Sequence, residues 1–330
     1  GAKGVIDTSV DNLPDGLQGD TITPEVSGIF SNTFGGDKFG VATSASYQER
    51  DFGFNQASVG NGWRTFAGDE NNWGTIPQPN TAGAQKHITR PDATDTYSVP
   101  QNLGYSVNGV GRKRTNGQLT LQYAPTDTIT TTLDYTYSEN KIATQRNELS
   151  VWFNFGPSTS TWTDGPVAAP LIYSEAIDAV AAPSDLSMGG AKFATKNENN
   201  SVGFNVEWRA TDRFGLEFDF HDSSAESGPD SPYGSNAVLG VAGFYGGTTT
   251  ADFSQDFPVM SVVLPAGMSG IDPSLMMVTG SSFRNSYMLA EIKQGRLDGH
   301  FDFTEGSRLD FGVAATEVGN RSAFSNVQSD

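Results

Sequence analysis

Residues 24–50, PEVSGIFSNTFGGDKFGVATSASYQER, alternate between two faces on each side of a glycine-rich turn. One face carries Val26, Gly28, Phe30 and Phe34 before the turn, and Phe39, Val41, Thr43, Ala45 and Tyr47 after it. A period of two that runs through two arms around such a turn predicts a β-hairpin. About ten residues, each rising ~3.3 Å in a strand tilted by ~40°, climb ~25 Å, which is the height of the apolar band of a bilayer.

The same unit recurs three more times along the chain. The further predicted hairpins pair residues 115–123 with 129–137, residues 202–209 with 214–221, and residues 296–303 with 309–316. A weaker alternation at residues 2–9 predicts one more strand, which brings the count to about nine. Bacterial single-chain barrels have even strand counts, and the ninth predicted strand ends on the side of the long connections. We therefore expect at least one further strand beyond residue 330.

The connections between the hairpins are long and irregular, whereas the turns within the hairpins are short. Residues 52–111, 141–196 and 223–284 are rich in Gly, Pro, Asn and Ser. Within them the pattern predicts a strand extension at 149–155 and two helical turns at 174–181. Short turns on one side and long loops on the other are typical of outer-membrane barrels. A soluble β-sandwich has no reason to sort its loops in this way.

The composition excludes several classes of protein. The chain has 330 residues, a net charge of −18 and no cysteine. The acidity argues against nucleic acid as a partner, and the missing cysteine excludes disulfides and thiolate metal ligands. No run of 18 apolar residues predicts a transmembrane helix, but the strands of a membrane barrel alternate and are hydrophilic on average. No signal peptide is visible and the pattern has already begun at Gly1, so we expect a segment cut from a longer chain.

Charges on the second face of the predicted strands point to a wide lumen. The charged residues predicted to face inward are Asp134, Glu207, Arg209, Glu217, Asp219, His221, Asp298, His300, Asp302 and Asp310. Burying so many charges in a narrow, dry interior would be very costly. The sequence therefore predicts a water-filled interior wider than that of an eight-stranded barrel.

Four runs of the sequence resemble one family. Residues 20–57, DTITPEVSGIFSNTFGGDKFGVATSASYQERDFGFNQA, resemble the start of the barrel in TonB-dependent outer-membrane receptors of the large branch linked with carbohydrate scavenging. LTLQYAPTDTITTTLDYTYSENK at 119–141, ATDRFGLEFDF at 210–220 and GHFDFTEGSRLDFGVAATEVGNRSAFSN at 299–326 look like the repeated hairpins of the same barrels. The resemblance covers most of the predicted strands and little of the long connections.

The resemblance implies an all-β fold, an antiparallel transmembrane β-barrel of which residues 1–330 form about nine of about 22 strands. Family members also carry an N-terminal plug domain and a TonB box, and we expect these and the C-terminal strands to be absent from this segment. The implied location is the bacterial cell outer membrane, with its lipid, a small-molecule ligand and the inner-membrane energy-coupling protein TonB as partners.

The expected function is energy-coupled uptake of a scarce ligand, with carbohydrate favoured and an iron–siderophore chelate second. A passive porin-like channel and a structural or adhesive surface barrel stay open as alternatives. A plug domain with a TonB box upstream of this segment would favour the receptor, and its absence would favour the alternatives.

Aromatic residues in or beside the long connections are the candidate ligand-binding residues. They are Trp63, Phe66, Trp73, Trp152, Trp162, Tyr173, Phe244 and Tyr245. Flat rings stack on the apolar faces of sugars, although the same rings can instead pack the loops onto one another. His87, His221 and His300 are scattered without metal-ligand spacing, and the SxxK match that begins at Ser138 lacks its partner motifs. We therefore expect no catalytic set, no metal site, no cofactor and no enzyme activity.

The apolar face also predicts how the segment behaves alone. The residues expected to meet lipid are Val26, Phe30, Phe34, Leu119, Leu121, Leu133, Phe204, Val206, Trp208, Phe218, Phe301 and Phe311. In water they would expose far more than the few hundred Å² of apolar patch typical of soluble monomers, beside two unpaired sheet edges. We expect association instead of a stable soluble monomer. The competing interpretation is a soluble β-sandwich in which these residues form a dry core.

Overall fold

The computed structural model describes residues 1–304 and 306–329. There the chain is all-β, with three 3-10 helices at Thr8–Asn12, Ala84–Lys86 and Pro273–Leu275. Its strands are β1 (Ala2–Ile6), β2 (Ile22–Phe34), β3 (Phe39–Ser58), β4 (Trp63–Ala67), β5 (His87–Ile88), β6 (Thr96–Pro100), β7 (Asn102–Thr126), β8 (Ile129–Trp152), β9 (Ser158–Trp162), β10 (Val167–Ala168), β11 (Pro170–Ile177), β12 (Ser184–Thr211), β13 (Phe214–Pro229), β14 (Asn236–Tyr245), β15 (Gly247–Asp252), β16 (Val259–Val263), β17 (Met277–Val278), β18 (Ser281–Thr304) and β19 (Ser307–Ser329). In this part of the chain, no helix is long and apolar enough to cross a membrane.

Eleven of these strands form one antiparallel sheet, and nine of them follow one another in the order β1-β2-β3-β7-β8-β12-β13-β18-β19. The predicted succession of nine strands is thereby confirmed as a sheet, with the four hairpins at β2–β3, β7–β8, β12–β13 and β18–β19. The last of the predicted turns includes Glu305, which lies outside the described residues. At the end away from the short turns, β14 joins the sheet by pairing with both β12 and β18.

The strands extend much further from the short turns than the apolar alternation predicts. β12 runs for 28 residues and β7 for 25. Their distal halves are rich in Gly, Ser and Asn and have no clear apolar period, yet the backbone pairing keeps a regular register. The prediction of irregular chain at 52–111, 141–196 and 223–284 is therefore wrong over much of these ranges. Backbone hydrogen bonds hold these strands, and such bonds leave no hydrophobic pattern in the sequence.

The remaining parts of the connections form a second folded layer. β16-β15-β11-β9-β5 make a five-stranded sheet, and β10-β6-β4 make a three-stranded sheet. Residues 174–181, predicted as two helical turns, are not helical: 174–177 lie in β11, whose backbone pairs with β9 on one side and β15 on the other, and 179–181 form a turn. We call these two small sheets the loop layer. The buried core that the loop layer shares with β7 and β8 of the large sheet consists of Phe66, Ile76, Tyr97, Val99, Leu103, Val151, Phe153, Trp162, Ala168, Tyr173 and Ala251.

The register of the large sheet shifts steadily from strand to strand. A row of directly paired residues runs from Phe39 through Tyr123, Thr131, Val206, Phe218 and Leu297 to Val313. Phe39 is the first residue of β3, whereas Val313 lies six residues beyond Ser307, the first residue of β19. Six strand-to-strand steps separate β3 from β19, so the stagger is one residue per strand. An eight-stranded barrel with a shear of 8 has the same ratio and a strand tilt of ~36°.

Candidate ligand-binding site at the loop end of the sheet

The pairing register divides the large sheet into two faces, because residues directly opposite each other in antiparallel strands share a face. We call one the apolar face; it carries Phe30, Leu121, Leu133 and Phe204. The polar face carries the residues between them along each strand. Near the short turns the apolar face is open, and Phe30 is 52% exposed.

The exposed apolar residues end at a constant distance from the short turns. On the apolar face of β3 the first charged residue is Glu49, ten residues after Phe39. The corresponding residues are Glu139, ten after Ile129, Asp222, eight after Phe214, and Glu317, ten after Ser307. The line of first charged residues does not follow a row of directly paired residues across the sheet. Asp222 and Glu317 belong to the row that contains Thr43, whereas Glu49 lies six residues further along β3. The apolar band therefore keeps a nearly constant distance from the short turns. A band that runs perpendicular to the axis of a sheet of tilted strands has this property.

The polar face is charged near the turns and neutral in its middle. Near the turns of β12 to β19 it carries mostly carboxylates, with some cations between them: Glu207, Glu217, Asp219, Asp298 and Asp310, beside Arg209, Arg296, Arg308 and His300. Its middle is neutral, with Ser46, Asn116 and Ser138 joined by hydrogen bonds of 3.2 and 2.8 Å. A water-filled space suits this mixture better than a dry core does.

A cleft of about 210 Å³ opens on the polar face near the loop end. Alternate residues of β8 supply one wall: Arg146, Glu148, Ser150 and Trp152. Asp185 and Ser187 of β12 face them across the strand pair. Residues at positions i, i+2, i+4 and i+6 of a strand lie on one face, so the pleat of β8 brings these four side chains together.

The polar groups of the cleft are only partly satisfied by the protein. The Nη2 atom of Arg146 lies 3.4 Å from Oε2 of Glu148, and the Asp185 carboxylate accepts a hydrogen bond of 2.8 Å from the Ser187 hydroxyl. The Nε1 atom of Trp152 and the Nε atom of Arg146 are buried without a partner among the described residues. Unused donors beside two carboxylates suit a ligand rich in hydroxyl groups.

Glycines shape the far side of the cleft. Gly189 of β12 pairs with Gly240 of β14 on one side and with Glu148 of β8 on the other. A Cβ atom on Gly240 would lie 2.3 Å from the carbonyl oxygen of Thr279, so the chain at Thr279 passes close over this strand. A side chain at Gly240 would force this backbone away, and the cleft would lose its shape.

The structure separates the eight predicted aromatic residues into two groups. Phe66, Trp162, Tyr173 and Tyr245 are buried and offer no ring face to a ligand in this conformation. Trp63, Trp73 and Phe244 are exposed, and Trp152 is half-buried in the cleft. Ligand binding by these residues stays a prediction, which the geometry supports best for Trp152.

A second aromatic cluster lies at the edge of the loop layer. The guanidinium carbon of Arg64 lies 4.2 Å from the ring centre of Trp73 and 4.9 Å from that of Phe155. The two rings meet edge to face at 5.1 Å. Phe155 has φ of 57°, a left-handed conformation that is strained for a bulky residue. Trp73 is 66% exposed, so one side of this cluster is accessible to solvent.

Glu175 holds the strained segment in place. Its fully buried carboxylate accepts hydrogen bonds from the backbone N–H groups of Asn154, Phe155 and Gly156 at 2.8, 3.1 and 3.0 Å. Burial raises the pKa of this carboxyl group, and the three N–H donors oppose the rise. No pattern in the sequence indicates this role, because the partners of Glu175 are backbone groups about 20 residues away.

His87 belongs to the core of the loop layer. Its Nδ1 atom lies 2.7 Å from the hydroxyl of Ser160, which accepts a hydrogen bond of 2.6 Å from Nε1 of Trp162. Burial, together with nearby Arg90 and Lys86, lowers the pKa of His87 to about 4. In the described residues, no group of three or more His, Cys, Asp or Glu is arranged to hold a metal ion.

Sequence reasoning missed Arg146, Glu148 and Asp185 as site residues. A signal was present, because Arg146, Glu148, Ser150 and Trp152 alternate with Asn147, Leu149 and Val151 in the printed sequence. Comparisons of the chain with protein-family models, with curated proteins and with solved structures found no match.

Proposed function

We propose that residues 1–330 form part of the wall of an outer-membrane β-barrel, and that the whole protein takes up a ligand from outside the cell by energy-coupled transport. The observation that carries this proposal is the open apolar band that follows the short turns. Ten residues at ~3.3 Å each and a tilt of ~36° give a band height of ~27 Å, close to the ~25 Å of outer-membrane barrels. The one-residue stagger per strand supports a closed, tilted wall.

The arrangement of the connections supports an external ligand site. The short turns lie at one end of the sheet, and the loop layer and the cleft lie at the other. In outer-membrane barrels the long loops face the outside. The cleft would therefore open toward the lumen near its outer mouth, where a ligand arrives first.

The cleft suits a carbohydrate better than other small ligands. The residues around this space of about 210 Å³ include an indole ring, a guanidinium group, two carboxylates and three residues with hydroxyl groups. Sugar rings offer C–H faces that stack on indole and paired hydroxyl groups that bind carboxylate and guanidinium. An iron–siderophore chelate is the second candidate, and TonB is the proposed energy-coupling partner on the basis of the resemblance.

Membrane insertion can be tested by labelling two adjacent positions in the full-length protein. Because the described segment has no cysteine, Phe204→Cys and Asn205→Cys place a nitroxide label on the apolar and the polar face of β12. We expect the label at 204 to be relaxed by oxygen, which concentrates in lipid, and the label at 205 by a water-soluble nickel complex. The opposite preference, or equal access at both positions, would support the sandwich and contradict the barrel.

Ligand uptake is tested separately. We expect Trp152→Ala to weaken binding of the transported carbohydrate by the full-length protein. Trp208→Ala, the same substitution on the apolar face near the turns, should leave binding unchanged. Uptake that continues after deletion of TonB would support a passive channel, and uptake that stops would support the receptor.

A further inference from the structure

Arginines cluster on the polar face of β3 and β7, between the cleft and the neutral middle of the sheet. Arg50 of β3 pairs directly with Arg112 of β7, and Arg114 follows two residues along β7 on the same face. Glu25 is the carboxylate beside them; it forms ion pairs with Arg50 and, at 3.1 Å, with Lys3. Glu25 thus pairs with two of the four cations, and Arg112 and Arg114 have no ion pair among the described residues, in a chain whose net charge is −18.

The donors of this cluster are incompletely used. The Nη2 atom of Arg112 donates to Oε1 of Gln48 at 3.3 Å, while its Nε atom is buried without a partner in the described residues. Arg114 is exposed and has no hydrogen-bond or ion-pair partner in the same part of the chain. An arginine that keeps free donors attracts an anion, because no protein carboxylate competes for it.

The strand on the other side of β7 supplies no neutralising charge. Asn140 of β8 lies opposite Arg114, and Ile142 lies opposite Arg112. On the polar face of β12 the next residues across are Asn197 and Thr195, which pair with these two positions of β8. Glu25 is thus the acidic group that faces the cluster from the strands packed around it.

The cluster lies on the path from the cleft toward the turns. Arg146 of the cleft is directly opposite Asn108 of β7, four residues from Arg112. Four residues of a strand span ~13 Å. A ligand that leaves the cleft along β7 and β8 therefore reaches Arg112 and Arg114 before the neutral part of the wall.

We propose that Arg112 and Arg114 form an anion site on the inner wall, and that the transported ligand is a carbohydrate that carries carboxylate groups. This inference rests on the proposed function and specifies its ligand class. The guanidinium fork binds a carboxylate through two parallel hydrogen bonds, whereas a neutral sugar offers no such group. Positive charge on a confined wall also raises the local concentration of an anionic ligand.

The test compares two trisaccharides of the same ring type on the full-length protein. Galacturonic acid trimer and galactotriose differ at C6, where the first carries a carboxylate and the second a hydroxymethyl group. A charge-assisted hydrogen bond is worth ~1.5–3 kcal/mol, which predicts about tenfold to a hundredfold tighter binding of the acidic sugar. R112Q/R114Q should remove this preference and leave binding of the neutral sugar unchanged.

Lys113 provides the matched control. It lies between the two arginines in sequence but on the apolar face, where its Nζ atom is 2.8 Å from Glu49. K113Q/K141Q removes two positive charges from the apolar face of adjacent strands and should keep the preference for the acidic sugar. Equal affinities for the two sugars, no binding of either, or the same loss in the control variant would overturn the inference. Any of these results overturns the anion site but leaves the transport proposal standing, provided that the nitroxide labels place β12 in a membrane. Labels that exclude a membrane overturn the proposed function itself.

Discussion

The apolar face of the large sheet is exposed at the turn end and buried at the loop end. Near the short turns, Phe30 on the apolar face is 52% exposed, whereas near the loop end Leu103 and Val151 on the same face are fully buried. The difference lies in what covers the strands. At the loop end the chain covers its own apolar face with the loop layer. At the turn end no part of the described residues does so, which is the arrangement expected where lipid provides the cover.

The largest effect expected from this comparison comes from tryptophan. Trp162 is 1% exposed in the loop layer, whereas Trp208 is 43% exposed on the apolar face. Trp162→Ala should cost the loop layer ~3–5 kcal/mol through the cavity that it leaves. Trp208→Ala should cost much less in detergent micelles. Urea midpoints of protease resistance in the full-length protein measure both variants, and equal losses would mean that the two ends do not differ in packing.

A smaller effect is expected at Glu175, which lies in the loop layer. Glu175→Gln keeps the shape but replaces one acceptor oxygen with a donor that faces a backbone N–H group. We expect a loss of ~1.5–3 kcal/mol, and the Arg64, Trp73 and Phe155 cluster should loosen. Fluorescence quenching of Trp73 by iodide measures the second change. A variant with unchanged stability and unchanged quenching would contradict the role given to Glu175.

The raised pKa of Glu175 also fixes the sign of a pH effect. The folded loop layer binds this proton more tightly than the unfolded chain, whose carboxyl group titrates near 4.5. Its contribution is therefore complete below pH ~4.5 and is lost as the pH rises through the folded pKa. Glu175→Gln should flatten this part of the stability profile, and a slope that persists in the variant would assign the effect to another group.

His87 should give the opposite slope at the same end of the molecule. Its pKa is lowered from 6.5 to about 4 by burial, so the folded state disfavours the proton. The contribution of the neutral ring is complete above pH 6.5 and is lost as the pH falls toward 4. His87→Gln should remove this loss in protease-resistance midpoints measured from pH 7 to pH 4. If the loop layer of the unmodified protein were equally stable at pH 7 and pH 4, this result would argue against a buried neutral histidine.

The sequence predicted the strands near the turns because their period of two reflects one apolar and one polar face. It did not predict most of the outer halves of β7, β8 and β12, where Gly, Ser, Asn and charged residues interrupt the apolar alternation and backbone pairing continues the strand. The loop layer was missed for a related reason. Its short strands are held by contacts between distant connections, such as the hydrogen bonds of Tyr105 to Pro258 and Met260.

The candidate site was predicted only in part. Trp152 was chosen as an aromatic residue in a connection, and the structure places it in the cleft. Composition could not separate it from Trp162, because residue type does not reveal burial. The polar residues of the cleft follow from the pleat of β8 once the strand is known to reach Trp152, which its local pattern predicts weakly.

The smallest effect is expected at the edge of the apolar band. Glu49 pairs with Lys113 at 2.8 Å, and the lysine side chain is well exposed. Exposed ion pairs contribute ~0.2–1 kcal/mol, so Glu49→Gln should shift the unfolding midpoint of the micelle-bound protein only slightly. Glu175→Gln makes the same chemical change at the loop end, in a fully buried site. If Glu49→Gln proved as costly as Glu175→Gln, the charged boundary would be a structural network of the sheet and would no longer support the proposed position of a membrane surface.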